Sequence, residues 1–248
     1  MMTATMTLMT NEFRMLGRNT TAWSTAIALP VLLAGFMALG EPSLGDGIGA
    51  LMALQVLVML VFTLHTVGTM TLAARRQHLV LKRWRSSQAS DVAILLGTIA
   101  PVVVMTVLQI ALLTLFTAVI HDAAPAVPVL LVAGVGSACA LVAALTFVVA
   151  GFTRGPEHAM ITTVPVSAAL LAGALPVLSR PLDQLPAAVL AIPGAAPTQL
   201  ILLGWQGTES QGAAGTMVQA LPGLAAGAVL TAVAVAMAAR FFRWEPRS

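Results

Sequence analysis

Arg75-Arg76-Gln77-His78-Leu79-Val80-Leu81-Lys82-Arg83-Trp84-Arg85 is the most basic stretch of the chain, and long apolar runs flank it on both sides. It holds five of the twelve Lys and Arg residues, including the only lysine, Lys82. A cationic cluster between two membrane-length segments marks a loop retained on the inner face of a membrane. The reading of the whole chain follows from that loop.

A bilayer core takes about 20 apolar residues per helix. Segments free of Asp, Glu, Lys and Arg fall at 19–40, 47–74, 92–120, 123–153, 159–179 and 210–239. They predict spans near 20–40, 48–73, 92–119, 126–152, 159–179 and 216–239. A seventh uncharged run, 184–208, carries Pro186, Pro193 and Pro197, which break helix hydrogen bonding repeatedly. Residues 181–206 therefore read as a short re-entrant or surface hairpin rather than another span.

Six spans put both termini on one side. Arg14, Arg18, Arg75, Arg76, Lys82, Arg83, Arg85, Arg154, Arg240, Arg243 and Arg247 then face the cytoplasm, eleven of the twelve cations. Arg180 faces out, with Glu41, Asp46, Asp122, Asp183 and Glu209. Trp23, Trp84, Trp205 and Trp244 fall at span ends or in loops, as interfacial anchors do. Before the first span, Leu8, Met9, Phe13 and Leu16 share a face that predicts an amphipathic interfacial helix, although Glu12 interrupts it. The first span reads as a retained signal anchor.

Composition agrees. The chain is 58% hydrophobic and 8% charged, against roughly 25% charged residues in a soluble domain. One membrane domain accounts for residues 1–248. The net charge of +3 and the pI near 10.4 come from cations beside spans, so no nucleic-acid partner is expected. Cys139 is the only cysteine, which excludes an intrachain disulfide.

Several enzyme chemistries are also excluded. Lys82 lies between Leu81 and Arg83, so the chain has no Gly-Lys-Ser/Thr phosphate loop and no P-loop ATPase site of its own. His65, His78, His121 and His158 are scattered, with no zinc-binding helix, and no metal site is expected. No catalytic residue is assigned. Inside the spans the one candidate for a polar cavity is His65, set among Thr63, Thr66 and Thr69. A hydrogen bond to a neighbouring helix is the plainer use of that histidine.

The basic loop has further pattern. Val80, Leu81 and Trp84 can share a helical face, with Arg75, Lys82 and Arg85 opposite. Ser90-Asp91 suits a helix N-cap with an acid in the first turn. A plain orientation-setting loop and a protein-docking helix both fit.

The run Ala73 to Ser87, with Leu79-Val80-Leu81-Lys82-Arg83-Trp84-Arg85 at its centre, resembles the inner loop of ABC-2 type permeases, the membrane subunits of ATP-binding-cassette exporters, in an actinobacterial variant. In that family a Leu-x-Leu-Lys-Arg-Leu-Arg segment precedes a polar stretch and the third span. Trp84 stands here for the usual leucine, and residues 86–91 for the polar stretch. Arg154-Gly155-Pro156-Glu157-His158-Ala159 resembles the short inner turn after the fourth span, with Pro156 as a departure. The segments at Pro186 and Pro197 resemble the outer re-entrant elements.

That resemblance implies an all-α integral membrane protein with six transmembrane helices, an N-terminal interfacial helix, a cytoplasmic coupling helix within 75–90 and an extracellular re-entrant hairpin. It implies a half-channel in a bacterial plasma membrane, paired with a second copy or a paralogue. A cytosolic ATPase subunit would carry ATP and Mg, and the permease would hold no cofactor. Leu79, Val80, Leu81, Lys82, Arg83, Trp84 and Arg85 would meet that ATPase, and Arg154 and Glu157 would form a second cytoplasmic contact. Few fixed charges in the spans favour export of a hydrophobic or amphipathic small molecule such as a drug or antibiotic. Lipid and polysaccharide export are alternatives. An ion-coupled secondary carrier is the rival from another class, but it would show internal repeats and buried charge, and the sequence has neither.

Overall fold

A computed structural model of the chain describes residues 28–40, 47–81, 90–208, 212–242 and 244. Among the described residues the structure is all-helical, with no strand. In chain order the helices are α1 (Leu29–Leu39), α2 (Ile48–Gln77), α3 (Asp91–Ile120), α4 (Pro128–Phe152), α5 (Pro156–Leu178), α6 (Ala195–Gln206) and α7 (Gly212–Phe241). Five of them, α2 to α5 and α7, are long and apolar enough to cross a membrane. The expected first span is described only in its second half, as α1. The expected amphipathic helix, with Arg14, Arg18 and Trp23, lies outside the described residues.

The sequence explains where these helices begin and how they continue. Ser90 caps α3, its Oγ accepting the Ala93 N–H at 3.3 Å, and Asp91 stands in the first turn, as expected. Pro128 opens α4, where its missing N–H costs nothing. Pro101, Pro176 and Pro222 sit inside α3, α5 and α7. Membrane helices tolerate such prolines when neighbours re-satisfy the freed carbonyls.

Long helices consecutive in the chain run in opposite directions, so α2, α4 and α7 run one way, and α4 packs in parallel against both α2 and α7. α2 is the centre, with 83% of its most apolar stretch buried, against 28%, 28% and 22% for α3, α5 and α7. The outer helices turn apolar side chains outward: Leu32, Phe36, Val119, Val132 and Ile161 are all at least 70% exposed. A soluble protein hides such residues, whereas lipid solvates them. The threonines lie inside instead. Thr98, Thr106, Thr146, Thr153, Thr163 and Thr198 are buried, and each donates its hydroxyl to the carbonyl four residues back. Each polar group is thus satisfied within its own helix.

The proline-rich segment folds into the bundle. Two short 3-10 turns, Leu182–Gln184 and Ala187–Ala191, lead to α6, which is buried from Ala195 to Trp205. At twelve residues α6 is about 18 Å long, too short for a core about 30 Å thick. Gly194, at φ 94, meets the Leu170 backbone, about 12 Å inside the end of α5 at Leu178. From there α6 climbs back. The Ala126 and Val127 N–H groups donate to the Trp205 and Gly204 carbonyls at 3.0 and 2.9 Å, just before α4 begins. The hairpin therefore enters and leaves at one end of the bundle. Trp205, expected as an interfacial anchor, is only 4% exposed and packs within the bundle.

Close backbone approach makes this hairpin possible. A methyl group on Gly204 would strike the Leu131 backbone, whereas one on Gly136 would meet nothing within 4 Å. Gly204→Ala is expected to destabilise the folded protein by about 1–3 kcal/mol. Gly136→Ala should be neutral or slightly stabilising, as an ordinary Gly to Ala change in a helix is. Unfolding midpoints in detergent would check both; equal midpoints for the two variants would refute the close approach.

Candidate functional site

One end of the bundle gathers cations. The last turn of α2, with Arg75 and Arg76, packs on the turn Pro156–His158 that opens α5. Arg154 lies in the same connection. The α7 terminus, with Arg240, joins them: Phe241 stacks on Phe152 with ring centroids 5.6 Å apart, and Phe242 on Phe147 at 5.9 Å. Of the described Lys and Arg residues only Arg180, after α5, sits at the opposite end.

Arg76 is not a solvated loop cation, as the sequence suggested. It is 1% exposed. Its Nη1 donates to the Ala150 carbonyl at 2.7 Å and its Nη2 to the Thr153 carbonyl. These oxygens belong to the C-terminal turn of α4, where helix carbonyls lack partners and the helix dipole is negative. A planar guanidinium can serve two such acceptors at once.

Beyond Arg76 the chain turns. α2 ends at Gln77, and Leu79 takes φ 55, a left-handed conformation uncommon for a leucine. Helix resumes at Val80–Leu81. Arg75 therefore belongs to α2, which ends at Gln77. Leu79 is 42% exposed and Val80 half-buried, but Leu81 is fully buried. The Leu81 side chain thus belongs to the protein's own core rather than to a face offered to a partner. Lys82, Arg83, Trp84 and Arg85 lie outside the described residues.

In the facing turn, Arg154, Glu157 and His158 are exposed, and the Glu157 carboxylate pairs with His158 Nδ1 at 3.0 Å. The Gln77 amide and the Glu157 carboxylate both close over Gly155. The ends of α2 and of the α4–α5 turn are fitted to one another.

A second polar region lies mid-bundle. Residues Leu60–Val67 of α2 are wound as π-helix, with Thr66 Oγ1 donating to the Val61 carbonyl five residues back at 2.9 Å. Such turns recur at functional positions. Thr63, His65 and Thr69 are fully buried there, and Thr66 is part-buried. Thr146 Oγ1 gives its proton to the Val142 carbonyl at 2.7 Å, so it accepts from His65 Nδ1 at 3.1 Å. The structure thus brings together the four residues expected around a cavity, but it packs them. They join α2 to α4.

Sequence reading missed Gln55. It is 1% exposed; its Nε2 donates to the Ala34 carbonyl of α1 at 3.0 Å, and its Oε1 accepts from Thr117 of α3 at 3.0 Å. His121 Nε2 adds a contact of 2.9 Å to the Ala38 carbonyl. A glutamine inside a predicted span was the available signal. Among the described residues no three His, Cys, Asp or Glu side chains come together to hold a metal.

No protein-family model and no curated protein sequence matches the chain.

The His65–Thr146 bond generates a prediction. In a double-mutant cycle with His65→Ala and Thr146→Val, the coupling energy should be about 1 kcal/mol, the scale of interhelical hydrogen bonds in membranes. Reversible unfolding in mixed micelles measures it. Additive effects would show that the bond does not join the helices.

Proposed function

We propose that the chain is the permease subunit of an ATP-binding-cassette exporter, working as a dimer on a separate cytosolic ATPase. The observation that carries this reading is the cationic end. The last turn of α2, where the basic segment begins, and the Arg154–His158 turn are far apart in sequence, yet they pack together there, with Leu79, Arg154, Glu157 and His158 exposed. These are the two stretches that resemble the inner elements of ABC-2 permeases. Positive-inside retention puts this end, and both termini, in the cytoplasm. The α6 hairpin then enters from the outer face, as a re-entrant element between the fifth and sixth spans.

A partner of this kind needs no catalytic group on this chain, and mechanical input at the cationic end would reach the spans through α2. The substrate class is a hydrophobic or amphipathic small molecule, in keeping with the apolar helices. Away from the helix ends, His65 is the one His, Asp, Glu, Lys or Arg among the described span residues, which disfavours ion coupling.

Two experiments test this. With Cys139 replaced by alanine, Ala124→Cys should react with an impermeant thiol reagent on intact cells, whereas His158→Cys should react only after permeabilisation. The reverse pattern would invert the orientation. The purified chain alone should not bind ATP, and ATP turnover should appear only when a cognate ATPase subunit is co-purified. Stoichiometric nucleotide binding by the isolated chain would sink the permease assignment.

A further inference from the structure

We infer that Arg76 is a positioning residue, a clamp that makes the segment leaving α2 and the α4–α5 turn move as one body. The inference rests on the permease reading for what the movement accomplishes, though not for the clamp itself. The guanidinium donates to the Ala150 and Thr153 carbonyls, which belong to another helix more than seventy residues along the chain. They are the last carbonyls of α4, which the helix cannot satisfy by itself. The cation lies in the last turn of α2, and the chain turns away three residues later at Leu79.

A force on residues 78–81 therefore reaches Arg76 within one helical turn and passes to the end of α4 through buried, charge-assisted bonds. Separating the two segments would break both of these buried bonds in a dry environment, which is costly. Orientation alone would not need this geometry, since a cation such as the less buried Arg75 would serve. The outer half of α2 is held differently, through Gln55, to α1 and α3. The π-helical stretch Leu60–Val67 separates the two attachments.

The test uses spin labels at His78→Cys and Met160→Cys in the full-length Cys139→Ala protein in lipid nanodiscs. The native sequence at Arg76 should give one narrow distance distribution. Arg76→Gln should broaden it or add a second, longer distance, and Arg76→Lys, which keeps the charge but not the fork, should fall between. A distribution in Arg76→Gln that superimposes on the native one overturns the clamp. If Arg76→Gln fails to insert, Arg76→Lys decides, and a native distribution there overturns it equally.

With the cognate ATPase bound, Arg76→Gln should keep ATPase association while export falls by about tenfold, within the scale on which single residues alter coupling between sites. Native export alongside a broadened distance would refute the positioning role. Failure of the native chain to recruit any ATPase would sink the permease reading instead, and the distance measurement would still decide the clamp.

Discussion

Hydrocarbon offers no hydrogen bonds, so a polar group inside this bundle must find its partner in the protein. Three side chains of α2 meet that constraint and hold the structure together. Gln55 bonds α1 and α3, His65 bonds α4, and Arg76 bonds the end of α4. Because α2 is the most buried long helix, each bond joins the centre to a different part of the surround. Apolar packing alone orients lipid-embedded helices poorly, since lipid tails are as apolar as leucine. The polar bonds supply the orientation.

The same constraint shapes the hairpin. Its α6 limb, which starts after the breaks at Pro193 and Gly194, lies inside the protein against α2, α4, α5 and α7, whereas Pro186 and most of 181–192 are exposed. Glycines on the facing helices give it room: Gly134 of α4 admits the Leu200–Ile201 backbone, and Gly173 of α5 admits Pro193. In the permease reading this hairpin closes the outer end while the clamped cationic end receives the input. The two ends of the bundle thus have different constructions.

Much of the fold was legible because bilayers impose a simple code. Runs without charge gave the long helices, Ser90-Asp91 gave the start of α3, and three prolines distinguished residues 184–208 from a span. Other features depend on tertiary contacts that no periodicity encodes. Arg76 reads as one more loop cation beside Arg75, and only the α4 carbonyls distinguish the two. Leu81 reads as an exposed anchor because helical spacing says which residues share a face but not what covers it. Leu79 hides a change of chain direction, since a left-handed turn usually advertises itself with glycine. Trp205 looked like an anchor because it sits near an end, yet the hairpin draws it inside. Thr63, His65, Thr66 and Thr69 were recognisable as a polar group, but the use of His65 in joining α2 to α4 needed Thr146, distant in sequence.

The central claim is that α2 and the α6 hairpin form one buried core surrounded by lipid-facing helices. Hydrogen–deuterium exchange of the full chain in lipid nanodiscs measures it most directly. Amides of Ile48–Gln77 and Ala195–Gln206 should be protected together, exchanging on the slow timescale of global opening. Fast exchange throughout Ala195–Gln206, with α2 still protected, would make the hairpin a surface feature and contradict this architecture.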